Sequence, residues 1–377
     1  TDALRAIDYL AGREEVDGAR IGCTGISGGG TLTSYLMALD DRITAAAPGC
    51  YLCGFRRLLE TIGPQDAEQN IHGQIAFGMD HADYVMMRGP RPTLIMAATH
   101  DYFDIDGAWN LFRQAKRLYD RVGFAERVDL LETDTKHGFP EAMRVGAARW
   151  MRRWLLGIDD AITETDFPVA ADEDVWCTAG GEVMLLEGAR SVYDLNMERE
   201  SRLAVSRERF WKETDKSKAL EEVRRIAGIG RLADLPKPKS EKVGSIDREE
   251  YRVDKLILRP EPGIFLAALC FVPDEPDGEA YLYLHEAGKQ VDAGPGGPIE
   301  KLVEQGHAVL AVDLRGLGET QGSGRPGFGG HLGPEWKDVF LAYMLDTSYL
   351  AMRARDVMVC ARFLADYPPG GRPNRVH

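Results

Sequence analysis

The sequence predicts an α/β protein built on a mostly parallel sheet with helices on both faces, and three observations carry that reading. Short apolar runs alternate with helical patterns from residue 20 to about residue 157. The apolar run at 21–24 passes into a helical pattern through the cluster Gly25-Ile26-Ser27-Gly28-Gly29. After a charged stretch, strand-like runs return from residue 250 onward.

In chain order, "TDALRAIDYLAG" reads as an amphipathic helix without the basic start or cleavage site of a signal peptide. Strands are expected at 21–24, 43–48, 93–98 and 127–132, with helices at 30–39, 108–122 and 141–156. Strand–helix alternation of this kind gives parallel neighbours joined by right-handed crossovers. Residues 63–90 form an insertion between sheet strands, expected to shape a pocket as a cap; within it Met86 and Met87 suit core packing as well as pocket lining. "CTAGGEVMLLEGARSVYDLN" reads as a small hairpin, followed by charged helices with a solvated face and the connector "LADLPKPKSEK". Further strands are expected at 250–258, 264–272, 280–284 and Ala308–Val312, with helices at 298–305 and roughly 348–367. The expected organisation is therefore 1–157, a connecting segment 158–245, and a second unit 246–377.

Composition narrows the function classes. A chain of 377 residues with 44% hydrophobic content has ample material for a large core or two units. A formal charge of −14 argues against nucleic acid or an anionic membrane as partner. No apolar run approaches the length of a membrane span. Six thinly spread cysteines include Cys50 and Cys53 in C-x-x-C spacing, but no second pair or histidine set completes a zinc site, so buried reduced thiols are expected.

The glycine cluster has a steric explanation. A serine on a very sharp strand-to-helix turn sits in a strained backbone conformation, and its neighbours two positions either side must lack Cβ atoms. The strain holds the hydroxyl out, and the helix that follows aims its amide hydrogens at the same spot, so the Gly28 N–H is placed to serve a developing oxyanion. The alternative is a glycine-rich turn with an idle serine; a phosphate loop is disfavoured because no Lys-Ser/Thr ending follows.

A serine hydroxyl needs a base, and the base needs an acid to orient it. Behind an elbow of this type the acid and the histidine follow in that order, each after a strand. "ATHDYFDIDGAW" places Asp101 just past the strand at 93–98, with Asp104 and Asp106 as rivals, and "ETDTKHGFP" places His137 after the strand at 127–132. His72, His81 and His100 lack that placement and read as surface or pocket residues.

The elbow "CTGISGGGTLTSYLMALDDRITAAAP", with "ATHDYFDIDGAW" and "KHGF", resembles bacterial α/β-hydrolases of the acetyl xylan esterase-like and dienelactone hydrolase-like kind over residues 1–157. The resemblance implies a catalytic triad of Ser27, Asp101 and His137 with Gly28 in the oxyanion site, ester cleavage through an acyl-enzyme, and a small-molecule or polysaccharide ester as substrate. No metal or organic cofactor is implied, because acyl transfer by a triad needs none. A prolyl oligopeptidase-like peptidase and a non-catalytic scaffold remain as alternatives. "LYLHEAGK" and "VLAVDLRGLGET" resemble the early strands of the same fold, and the two ends of the chain resemble each other. The sequence thus reads as cut from a longer two-unit protein with the halves in permuted order, and any signal peptide would lie upstream; a secreted or periplasmic compartment is expected. The expected consequence is one composite sheet, with the strand at 280–284 beside the elbow strand and the turn His285 to Gly288 near Ser27.

Overall fold

The computed structural model describes residues 2–322, 333–368 and 373–377. It divides into two compact units, Thr1–Ala189 with Tyr343–Asp346, and Arg190–Ala342 with Thr347–His377.

The first unit runs α1 (Asp2–Ala11), β1 (Ile21–Ile26), α2 (Gly28–Leu39), β2 (Ile43–Gly49), α3 (Phe55–Thr61), α4 (Gln74–Phe77), α5 (His81–Met87), β3 (Thr93–His100), α6 (Ile105–Arg121), β4 (Val128–Lys136) and α7 (Glu141–Met151). Its four strands pair in the order β1-β2-β3-β4, all parallel, with Gly25 opposite Pro48 and Ile95 opposite Leu130. Both faces are covered, as the near-continuous apolar run of β3 requires. Ile95 packs with Ile43, Leu111 and Val128, whereas its neighbours Leu94 and Met96 turn to the other face and meet Met143 and Trp150 of α7.

Helix α6 shows how the sequence sets the packing. Asp104 caps it by accepting from the Gly107 N–H at 2.9 Å, and Ala108, Leu111, Ala115 and Tyr119 recur at helical spacing as its buried stripe. Burial of a side chain such as Leu111 contributes about 1.5–3 kcal/mol. Because Asp104 begins the helix, the three residues before it form a short loop at the carboxyl end of β3.

The insertion folds into α4, α5 and a single 3-10 turn, Ala67–Gln69. Met86 packs against the core and Met87 is exposed. His81 is neither a surface nor a pocket residue: it is 0% exposed, lies against the rings of Tyr51 and Phe55, and accepts the Cys53 N–H at Nδ1. Its apolar neighbours remove water from the imidazole, and burial pulls its pKa down from 6.5 to about 4. Between those values the unfolded chain binds a proton that the folded chain does not. Stability therefore rises with pH through this window and is lost as pH falls, by on the order of 3 kcal/mol in full. Denaturant titrations from pH 7 to 4 are expected to show this slope in the wild type and a flatter one in His81→Phe; equal slopes would count against it.

The second unit runs α8 (Val192–Glu213), α9 (Lys216–Ala227), β5 (Lys239–Asp247), β6 (Tyr251–Arg259), β7 (Leu266–Pro273), β8 (Glu279–Tyr283), α10 (Pro298–Val303), β9 (Ala308–Val312), α11 (Trp336–Met344, whose last residues group with the first unit), α12 (Tyr349–Ala365) and β10 (Arg375–Val376). Its sheet has the order β10-β8-β9-β7-β6-β5, parallel at β10–β8 and β8–β9 and antiparallel elsewhere. Helix α8 carries no buried residue, in keeping with a solvated face, and opens with a capping box between Ser191 and Asp194. Among the described residues no helix is long and apolar enough to cross a membrane.

Three expectations are corrected. The hairpin near residue 180 is absent: 3-10 turns occupy Asp172–Val175 and Val183–Leu185, and the Glu182 carboxylate ties down the Met184 N–H instead of leaving the backbone free for a ladder. The connector at 232–242 runs into β5, an edge strand whose alternating charges hid it; charge on an edge is what keeps such a strand from recruiting others. The composite sheet does not form. Among the described residues β1 pairs only with β2, and β8 pairs with β9 and β10. The reason is that β8 has no edge to offer: Tyr283 is opposite Ala311 on one side, while on the other Ala280 is opposite Val376 and Leu282 donates to the His377 carbonyl at 3.0 Å. The ground for placing the turn His285 to Gly288 beside Ser27 goes with it. Of the two similar chain ends, residues 369–372 lie outside the described part.

Candidate active site

Ser27 stands between the last residue of β1 and the first of α2, with φ 58° and ψ −119°. Such a backbone costs on the order of 1–3 kcal/mol in a residue with a side chain and persists only where the surroundings impose it. Here its own N–H is fixed on the Gly49 carbonyl at 3.0 Å, and its carbonyl accepts from Thr31 at 2.9 Å as the helix begins. The steric need for glycine differs from the expected pattern. A Cβ on Gly25 would lie 2.5 Å from the Gly29 oxygen and one on Gly30 would lie 2.3 Å from the Gly49 oxygen, whereas Gly28 and Gly29 face open space. The crowded positions are thus 25 and 30. The missed signal was the run of three glycines, of which the last packs against the end of β2.

Asp101 and His137 are brought together. The aspartate follows the end of β3 and the histidine follows the end of β4; these strands are paired, so their carboxyl ends lie side by side. His137 Nδ1 lies 2.9 and 3.0 Å from the two Asp101 carboxylate oxygens. The aspartate side chain is 2% exposed and the histidine 23%, so the pair is shielded at the acid and open at the imidazole. A carboxylate only accepts, which fixes the neutral imidazole with its proton on Nδ1 and its lone pair on Nε2. Asp101 Oδ1 also accepts the Phe103 N–H at 3.2 Å.

The rivals are engaged elsewhere. Asp104 accepts two bonds from Arg57, at 3.0 and 2.7 Å, and this guanidinium holds its carboxyl below the usual carboxylate range. Asp106 is exposed in the first turn of α6. His100 does sit at a strand end, as the last residue of β3, but reaches Asp134 at 2.7 Å; His72 is exposed.

Two residues near the pair were not anticipated. Cys50, with φ 49°, follows β2; its thiol lies 3.6 Å from the Gly138 carbonyl, and burial beside Asp101 pushes it up to about 11. Cys50, Asp101 and His137 place one potential ligand atom each within 4.8 Å of one another, although the Asp101 and His137 atoms already bind each other. Tyr102 places its hydroxyl 2.9 Å from His137 Nε2 and stacks on the imidazole, with centroids 4.4 Å apart. Burial raises the Tyr102 phenol pKa, and Ser27 acts on it in the lowering direction. No sequence pattern marks Tyr102 except that it adjoins Asp101. In the second unit the Asp-x-Arg-Gly turn has structural partners, Asp313 with Lys289 and Arg315 with Asp356, each at 2.7 Å.

Substitution separates the two aspartates. Asp101→Asn is expected to lower ester turnover about a thousandfold or more by mis-setting the histidine tautomer. Asp104→Asn should mainly cost stability, about 1 kcal/mol, by weakening the charge-assisted bonds from Arg57 while the amide oxygen keeps the helix cap. Parallel kinetics and thermal melts check this, and a larger loss of turnover in the Asp104 variant would identify that residue as the acid.

Residues 1–83 match the acetyl xylan esterase (AXE1) family model. A Bacillus subtilis (strain 168) protein named as the hydrolase YtaP is 27% identical over 163 residues, 41% of this chain and 52% of the relative. The chain thus spans about half the length of the curated relative it matches. Among solved structures, a family 15 glucuronoyl esterase from Caldicellulosiruptor kristjansonii aligns at TM-score 0.35 and 20% identity, covering 46% of this chain and 54% of its own. The glucuronoyl esterase catalytic domain from Hypocrea jecorina aligns at TM-score 0.35 and 17% identity, covering 47% and 56%.

Proposed function

We propose that the first unit is a serine carboxylesterase acting on carbohydrate esters, with acetyl groups on plant polysaccharide as the favoured substrate class. The observation that carries the proposal is the Asp101–His137 pair, set at the carboxyl ends of two adjacent parallel strands in the same unit as a serine with φ 58°. Ser27 attacks the ester carbonyl and its proton passes to His137 Nε2. Asp101 stabilises the imidazolium that results. The Gly28 N–H, at the start of α2, receives the developing oxyanion. The imidazolium then protonates the leaving alkoxide. Water, activated by the same histidine, releases the acid from the acyl-serine.

The carbohydrate assignment draws on the family-model match, which contains the elbow, and on the amide side chains of the insertion. The test is labelling with a fluorophosphonate followed by peptide mapping, together with acetate release from acetylated xylan. Label on Ser27 and acetate release are expected. An unlabelled Ser27 would remove the hydrolase reading, and label without acetate release would remove the substrate class alone.

A further inference from the structure

We infer that Tyr102 is a positioning residue of this site: its hydroxyl occupies the reactive nitrogen of His137, and an entering ester displaces it so that Ser27 takes its place. The inference rests on the triad reading above.

The argument begins with the tautomer. Asp101 fixes the imidazole proton on Nδ1, so Nε2 has one lone pair and accepts one donor. That acceptor lies 2.9 Å from the Tyr102 hydroxyl, so the nitrogen that Ser27 needs is already engaged. The resting order is therefore Tyr102, His137, Asp101. Such an order suits a closed hydrogen-bond chain but not attack, because the serine proton must reach Nε2 as the oxygen bonds to carbon.

Tyr102 is also placed so that it can leave. It directly follows Asp101 in the loop before α6, the residue is 51% exposed, and its ring rests on His137 at 28° and on Phe103 at 4.9 Å rather than inside the core. Withdrawal of the ring uncovers the imidazole without opening the helix behind it. In the exchange no proton moves: the Tyr102 O–H bond to Nε2 breaks and a Ser27 O–H bond to Nε2 forms. In the following step the serine oxygen bonds to the carbonyl carbon, its proton goes to Nε2, and the carbonyl electron pair becomes the oxyanion. Atoms and charge balance with no further reactant.

The test compares wild type with Tyr102→Phe, which keeps the ring and removes only the hydroxyl. Two readouts are taken on the full chain: the rate of Ser27 labelling by a small fluorophosphonate, and the ¹⁵N resonance of His137 Nε2. Loss of one competing hydrogen bond is expected to speed labelling about two- to tenfold. It should also move the Nε2 resonance toward that of a free lone pair. An unmoved resonance would overturn the inference, and so would slower labelling, which would make the hydroxyl a participant in the chemistry. If the resonance moves but Ser27 labels in neither protein, the Tyr102–His137 contact stands and the esterase reading falls.

Discussion

Ser27→Ala is expected to lower hydrolysis of p-nitrophenyl acetate by about three or more orders of magnitude while leaving the melting profile close to that of the wild type. The loss is large because the proposed acyl intermediate forms on the Ser27 oxygen. The fold is spared because the elbow is held by backbone bonds, Ser27 N–H to Gly49 and Thr31 N–H to Ser27, which alanine keeps. Retention of more than about a tenth of the turnover would be incompatible with a Ser27 nucleophile on that scale of losses.

The second large effect is on stability. Gly30→Ala and Gly25→Ala are each expected to destabilise the first unit by about 2–4 kcal/mol, because the new Cβ meets backbone, which cannot rotate away as a side chain can. The clashes are with Gly49 at 2.3 Å and Gly29 at 2.5 Å. Gly29→Ala is the control: nothing lies within 4 Å of its Cβ position, and a helical alanine is at least as favourable as glycine. Denaturant midpoints for the three variants give the comparison. If Gly29→Ala were the most damaging, the spacing of two residues on either side of the serine would be the true steric rule after all.

Much of the first unit could be read from periodicity because each element satisfies a local rule and a global one together. Strand β3 is apolar throughout and is buried on both faces; α6 has a capping aspartate and an apolar stripe that meets that sheet. The pairing of Asp101 with His137 was legible because both follow strands in a parallel sheet, whose carboxyl ends converge. Tyr102 was not, since its place on His137 depends on a loop conformation that no periodicity encodes. Nor was β5 legible, because its residues Lys239 to Lys242 are chosen for exposure on an edge and not for burial. The composite sheet failed for a similar reason. Complementary apolar strands show which edges could pair, but whether an edge is already taken depends on a two-residue strand, Arg375–Val376, too short to carry a pattern.

The strained backbone of Ser27 also bears on how such a chain changes over generations. A residue with φ 58° and ψ −119° is a position where selection for chemistry and selection for a stable fold oppose each other. Glycine would relieve the strain at no steric expense, yet it would remove the hydroxyl. In a lineage released from catalysis, the first substitution to spread at this elbow should therefore be serine to glycine, with the rest of the turn unchanged. A persistent serine at such an angle records continued demand for its oxygen.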